Sequence, residues 1–374
     1  MEWLFIFGGV ILGTIIGIVY MTISLARFNI FKRIEKKWLR YVVSFTVIAA
    51  AFLIMRALFN MTNAIIIFLH VFGFFLIYQI IWRIITHFKK LELKVYIPGI
   101  LAIVTSVIYL GIGYYLCSHV WVTTYDFTSD KIDEPIKIAM FADSHLGTTF
   151  DGDGFAVYME EIMQYNPDIV LICGDFVDDD SKKEDMIKAC ATLGRMNPRL
   201  GIYYVYGNHD KGYFRNRDFT AEELKEELIK NGVHVMEDDI EYAGNLCIVG
   251  RMDASARNGN QSFKDGEMTK DFGRDLDLLM DEIDTSKYII IMDHQPTDYD
   301  NESNTAVDLV LSGHTHGGQL FPFNNAGKLF GLSDSIYGHT HLNGTDFIVT
   351  SGISDWALLF KTGTKSEYVI INVK

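Results

Sequence analysis

Hydrophobic positions are arranged in two different ways along this chain. Over the first 120 residues they form four long, nearly unbroken runs, roughly 3–25, 39–59, 64–82 and 95–120. Each is close to the ~20 residues with which an α-helix crosses a bilayer core, so the pattern predicts a four-span transmembrane region. The first run lacks a basic start and three more follow it, which does not suit a cleaved signal peptide. Past this point the apolar runs are short. "IKIAMFAD" (136–143), "DIVLICGD" (168–175), "GIYYVYGNHD" (201–210), "YIIIMDHQP" (288–296) and "VDLVLSGHTH" (307–316) each begin as a buried strand. Amphipathic helical patterns fall between them at 155–165, 183–193, 221–231 and 275–283, and further strands are expected at 245–253, 346–352 and 367–373. Strand and helix in alternation predict an α/β layered fold. Residues 254–273 read as a long polar loop, of the kind used as a lid or binding loop or left disordered.

Charge sharpens the division. Residues 1–120 hold 11 Lys and Arg against three acids, a net of +8; residues 121–374 hold 22 against 44, a net of −22. The expected organisation is a transmembrane domain over 1–120, a linker over 121–135 and a soluble domain over 136–374. Basic residues gather in the first connection (Arg27, Lys32, Arg33, Lys36, Lys37, Arg40) and the third (Arg83, Lys89, Lys90, Lys94). The positive-inside rule places both connections in the cytoplasm, so the soluble domain is expected to be extracytoplasmic. A net of −22 repels polyanions and disfavours duplex nucleic acid as a partner. His70, within the third span, reads as the donor of an interhelical hydrogen bond. The four cysteines show no metal-knuckle or redox spacing, and no disulfide framework is expected.

Chemistry enters where five strands end: Asp143-Ser-His145, Gly174-Asp175-Phe-Val-Asp178, Gly207-Asn208-His209-Asp210, Asp293-His294 and Gly313-His314-Thr-His316. Ligands of α/β sheets collect at carboxyl strand ends. A mixed O/N donor set without thiolate suits Mn, Fe or Zn in a reactive site better than a structural zinc. Asp210 and Asp293 read either as partners orienting these histidines or as surface acids, the former slightly favoured.

In motif and order this stretch resembles the calcineurin-like metallophosphoesterases from about Ile136 to Val373, and "GHTHGGQLFPF" is most similar to their membrane-associated or exported bacterial branch. The resemblance implies a four-layer αββα sandwich preceded by the four-helix transmembrane region. It implies two divalent metal ions (Mn, Fe or Zn), one held by Asp143, His145 and His316 and the other by Asn208, His294 and His314, with Asp175 bridging. It further implies a metal-bound hydroxide as nucleophile, His209 as proton donor to the leaving alkoxide and Asp178 as its dyad partner. The implied function is a membrane-anchored phosphoesterase acting on phosphomono- or diester bonds of a small-molecule or lipid substrate at the membrane or envelope. The competing readings are a catalytically silent metal-dependent binding or scaffold module, and the regulatory domain of a four-span membrane protein. Where the branch carries an Arg in a "RFGTPPE"-like stretch, this chain has Lys361 in "FKTGTKSE", a point charge in place of a planar fork. A second GHTH, with His339 and His341, lacks a preceding strand run and reads as coincidental.

Overall fold

The computed structural model describes residues 2–88, 95–257, 261–270 and 272–374. Lys89, Lys90 and Lys94, used above for orientation, lie outside the described residues, as do 258–260 and 271 of the polar loop. The chain divides into two compact units, one of residues 1–114 with 357–359 and the other of 115–356 with 360–374.

The first unit is helical: α1 (Glu2–Leu25), the short α2 (Asn29–Lys32), α3 (Lys37–Phe59) and α4 (Met61–Phe88), followed by α5 (Ile97–Ser118), whose last turn belongs to the second unit. Four of these helices, α1, α3, α4 and α5, are long and apolar enough to cross a membrane. Several of their polar side chains bond within the unit, as hydrocarbon surroundings favour. Thr14, Thr22 and Ser106 donate to carbonyls one turn back, and Arg27 and Tyr96 both donate to Gln79 Oε1 (2.6 and 2.9 Å). His70 Nδ1 bonds the Ile66 carbonyl at 2.8 Å, one turn back on its own helix, and its ring lies 5.7 Å from that of Tyr109 on α5. The Asn63 side chain bonds the backbone of Ala357 and Leu359, both of this unit.

The second unit is an αββα sandwich. Its strands are β1 (Val120–Phe127), β2 (Ile136–Phe141), β3 (Ile169–Cys173), β4 (Ile202–Val205), β5 (Val233–Met236), β6 (Asp239–Ala243), β7 (Leu246–Gly250), β8 (Gln261–Lys264), β9 (Glu267–Lys270), β10 (Tyr288–Met292), β11 (Leu309–Ser312), β12 (Gly338–Leu342), β13 (Thr345–Val349) and β14 (Ser366–Val373). One six-stranded sheet runs β1-β14-β2-β3-β4-β5 and the other β12-β13-β11-β10-β7-β6. Helices α6 (Gly152–Gln164), α7 (Lys183–Met196) and α8 (Ala221–Lys230) cover the first; α9 (Leu276–Met280) and α10 (Tyr299–Glu302) cover the second.

Strand alternation builds the layers. On β2, Ile138 and Met140 face the second sheet, meeting the core of Ile290, Leu309 and Leu311, while Ala139 and Phe141 face Phe155 and Met159 of α6. Strands buried on both faces read as unbroken apolar runs, which is why these were visible in the sequence. The first half of the expected linker is instead strand: β1 pairs in parallel with β14 from Val120–Ser366 to Phe127–Val373. The expected polar loop contains the β8–β9 hairpin, closed by Asp265 and Gly266, both with positive φ. β2, β3 and β4 are mutually parallel, as are β10 and β11, so their carboxyl ends share one edge of the sandwich.

Candidate metal centre and active site

The segments leaving those strand ends carry an unusual backbone. Asp143 (φ 56°), His145 (35°), Asp175 (51°), His314 (68°) and His316 (49°) all lie in the left-handed region. For residues with side chains this costs on the order of 1–3 kcal/mol each and persists only where surroundings enforce it. Glycines provide the close approaches: a Cβ at Gly207 would sit 2.1 Å from Asp175 Oδ1, and one at Gly313 would sit 2.5 Å from Asp143 Oδ2.

Two groups of ligand-type atoms result, each within 4.8 Å: Asp143, His145 and His316, and Asp175, His294 and His314. Asp143 lies at the sheet–sheet junction, both its oxygens 3.0 Å from the His314 N–H. His145 is fully buried, yet neither ring nitrogen has a hydrogen-bond partner; Nε2 lies 3.5 Å from Asp175 Oδ2 and Nδ1 3.5 Å from Asp178 Oδ2. His294 donates from Nδ1 to the Cys173 carbonyl (2.8 Å), which turns Nε2 towards Asp175 Oδ2 (3.2 Å) and Asn208 Oδ1 (3.3 Å). Asp175 thus lies between the groups.

A third group, His145, Asp178 and His209, adjoins them. His209 Nδ1 lies 3.1 Å from Asp178 Oδ1, and the His209 N–H donates to Asp175 Oδ1 at 2.9 Å. Burial opposes a charged imidazole here, but Asp175 and Asp178 outweigh it and raise His209 to about 9. Burial likewise opposes ionised Asp175, but the His294, His209 and His145 imidazoles hold its carboxyl well below the usual range. The nine side chains that the resemblance assigns to metals and catalysis are therefore neighbours in one largely buried cluster.

The family model of the calcineurin-like phosphoesterases matches residues 136–318. A metallophosphoesterase of Aquifex aeolicus is 32% identical over 206 residues, covering 54% of this chain and 71% of its own. The chain belongs to the calcineurin-like phosphoesterases. It is also similar to a metallophosphoesterase of Helicobacter pylori strain J99 (29% over 246 residues, 65% of this chain and 61% of the relative). A transmembrane protein with metallophosphoesterase domain from Bos taurus is 28% identical over 247 residues, 62% of this chain and 51% of the relative. The chain thus spans about three fifths of the length of the Helicobacter relative.

The family is dimetal-dependent, and the donor set fits divalent cations. Buried imidazole nitrogens are normally hydrogen-bonded; those of His145 face carboxylates with no proton shared at bonding distance, the arrangement a cation satisfies.

Other residues of this calcineurin-like phosphoesterase were not visible as site residues in the sequence. Asp355, fully buried, places Oδ1 3.2 Å from His316 Nδ1, and Nε2 of the same ring lies 3.9 Å from Asp143 Oδ1. Tyr213 accepts from Asn208 Nδ2 (3.0 Å), which leaves the amide oxygen facing His294. The Tyr213 and Trp356 rings flank His209 at 5.0 and 5.3 Å. No motif marks these three residues, and only the fold brings them in.

Two expectations are corrected. Asp210 orients no histidine: its carboxylate accepts the N–H groups of Asp175, Val177 and Gly207 (2.7–3.0 Å), fastening two ligand loops together. Asp293 is taken by Arg257, with Arg251 nearby, because two buried guanidinium groups need carboxylates more than His294 does. Lys361, at the place of the branch's Arg, is fully buried and donates to the carbonyls of Ser351 (2.6 Å) and Ser354 (3.0 Å). It secures the loop bearing Asp355. The second GHTH forms exposed strand β12, where His339 and His341 both contact Asp346 Oδ1 at 2.7 Å.

Proposed function

We propose that the chain is a membrane-anchored, dinuclear-metal phosphoesterase that hydrolyses phosphomonoester or phosphodiester bonds of a membrane- or envelope-associated substrate. The observation that carries this reading is the partnerless buried imidazole of His145 amid three carboxylates. In this reading Asp143, His145 and His316 would hold one divalent ion (Mn, Fe or Zn) and Asn208, His294 and His314 the other, with Asp175 as a ligand shared by the two. When bound, such ions supply Lewis-acid polarisation of the phosphoryl oxygens and lower the pKa of water towards neutrality.

The protein's own part is proton handling and order. As an oxygen from water joins phosphorus, the ester P–O bond breaks and the departing alkoxide needs a proton. Asp178 accepts the Nδ1 proton of His209, leaving Nε2–H to be given up. Asp355 and Tyr213 keep His316 and Asn208 turned to the cations.

The test is hydrolysis of p-nitrophenyl phosphate and bis(p-nitrophenyl) phosphate by the full-length protein in detergent, with Mn²⁺ against chelator. Turnover that needs metal and disappears in Asp175→Asn is expected, with a loss of about 10²–10⁴-fold in His209→Ala. Tight metal binding without turnover on either ester would instead make the domain a binding module. The basic connections favour an extracytoplasmic domain. A reporter fused after Lys374 checks this, and a signal only from a cytoplasmic-type reporter would reverse the orientation.

A further inference from the structure

Four residues beyond His316 the chain enters "LFPFNNAGKLFGL" (320–332), which contains the short helix α11 (Ala326–Leu329). Here Phe321, Phe323, Leu329, Phe330 and Leu332 are 58, 73, 80, 74 and 53% exposed. Single exposed apolar side chains are ordinary, but five within twelve positions concentrate apolar surface on one short segment and call for an occupant.

The backbone beneath is firmly held. Thr362 and Gly363 donate their N–H groups to the Gln319 carbonyl (2.9 and 3.2 Å), and the Phe321 N–H donates to Thr362 Oγ1 (3.1 Å). At the other end the Leu332 N–H closes onto the Gly327 carbonyl at 2.8 Å. A Cβ at Gly318 would lie 1.8 Å from the Asn324 carbonyl oxygen, so the loop is folded tightly on its own base. The tip faces outward because the base is bonded, not because the segment lacks structure.

Charge selects the occupant. From Gly313 to Ser333 the chain has no Asp or Glu and one lysine, Lys328, although residues 121–374 carry twice as many acids as bases. A Phe- and Leu-rich tip free of carboxylates within an acidic domain suits the surface of a bilayer with anionic headgroups, which the rest of the domain repels. A bilayer is at hand, since the chain has four helices apolar and long enough to cross one.

We propose that the 320–332 loop is a membrane-docking element whose Phe321, Phe323, Leu329, Phe330 and Leu332 side chains enter the headgroup region. Docking there sets a lipid surface within a few residues of His316. Its consequence, a phosphoester presented on lipid, rests on the phosphoesterase reading, whereas the docking itself does not.

The test uses the full-length protein in vesicles of phosphatidylglycerol and phosphatidylcholine. Phe323→Cys and Phe330→Cys carry an environment-sensitive nitrobenzoxadiazole label, with Ile229→Cys on α8, also exposed at 54%, as control. The four native cysteines are buried, which directs the label to the introduced thiol. Doxyl-labelled phosphatidylcholine is expected to quench positions 323 and 330 at least twofold and position 229 not at all. Quenching of 323 and 330 by aqueous iodide as fully as 229, without quenching by the lipid, would overturn the proposal. So would protection from both quenchers, which would mean a second copy or another protein on the patch. Hydrolysis of bis(p-nitrophenyl) phosphate in the same vesicles is read separately: its absence would defeat the phosphoesterase reading and leave the quenching result standing.

Discussion

The same four letters, Gly-His-Thr-His, appear twice and fold in opposite ways. At 313–316 they leave the buried strand β11, both histidines adopt positive φ, and the His314 N–H lies on the Asp143 carboxylate. At 338–342 they are themselves a strand, paired antiparallel with β13, with His339 and His341 34 and 58% exposed on a shared Asp346. An i, i+2 histidine pair is therefore not a metal site by composition. The first copy differs because the preceding strand delivers it to four other strand ends, and a left-handed backbone turns both rings inward.

The comparison can be broken most severely at the first copy. His314→Ala or His316→Ala should lower metal-dependent turnover on the order of 10³-fold, about 4 kcal/mol of lost charge stabilisation, in the bis(p-nitrophenyl) phosphate assay. The matching changes in the second copy should leave turnover intact. Next in size is Asp355→Asn, which removes the carboxylate behind His316; Mn²⁺ titration should show affinity weakened about 10–100-fold. If affinity were unchanged, the His316 ring would be fixed by something other than Asp355. Gly313→Ala and Gly338→Ala sharpen the contrast in backbone terms. The former drives a methyl into Asp143 and should abolish metal binding. The latter meets nothing within 4 Å but has φ 87°, so only strain of about 1 kcal/mol should appear, as a modest drop in melting temperature. The smallest effect belongs to His339→Ala with His341→Ala, expected within about 0.5 kcal/mol of wild type by thermal melting.

Legibility followed burial. Strands β2, β3 and β10 are apolar at every buried position, and β11 at all but Ser312, so their ends, and the ligand-type residues there, could be located from sequence. The edge strands escaped notice: after Val120, β1 alternates half-buried and exposed residues, β6 buries only Ala243 and β12 buries none, leaving no apolar run to see. The β8–β9 hairpin did carry a signal, since Asp265-Gly266 is a favoured two-residue hairpin turn, but its strands are polar. Asp355, Tyr213 and Trp356 were illegible for another reason. Their roles come from rings and carboxylates meeting across distant segments, which no local spacing encodes.

The position of β14 has a consequence for biosynthesis. It lies between β1 and β2, antiparallel to β2 and parallel to β1, yet it leaves the ribosome long after both. Until Ser366–Val373 emerges, β1 and β2 have no partner on their facing edges, and such unpaired edges are where nascent chains misassociate. The apolar helices, made first, can be in the bilayer well before that strand arrives. The second unit would then close late, its first sheet complete only once its last strand has emerged.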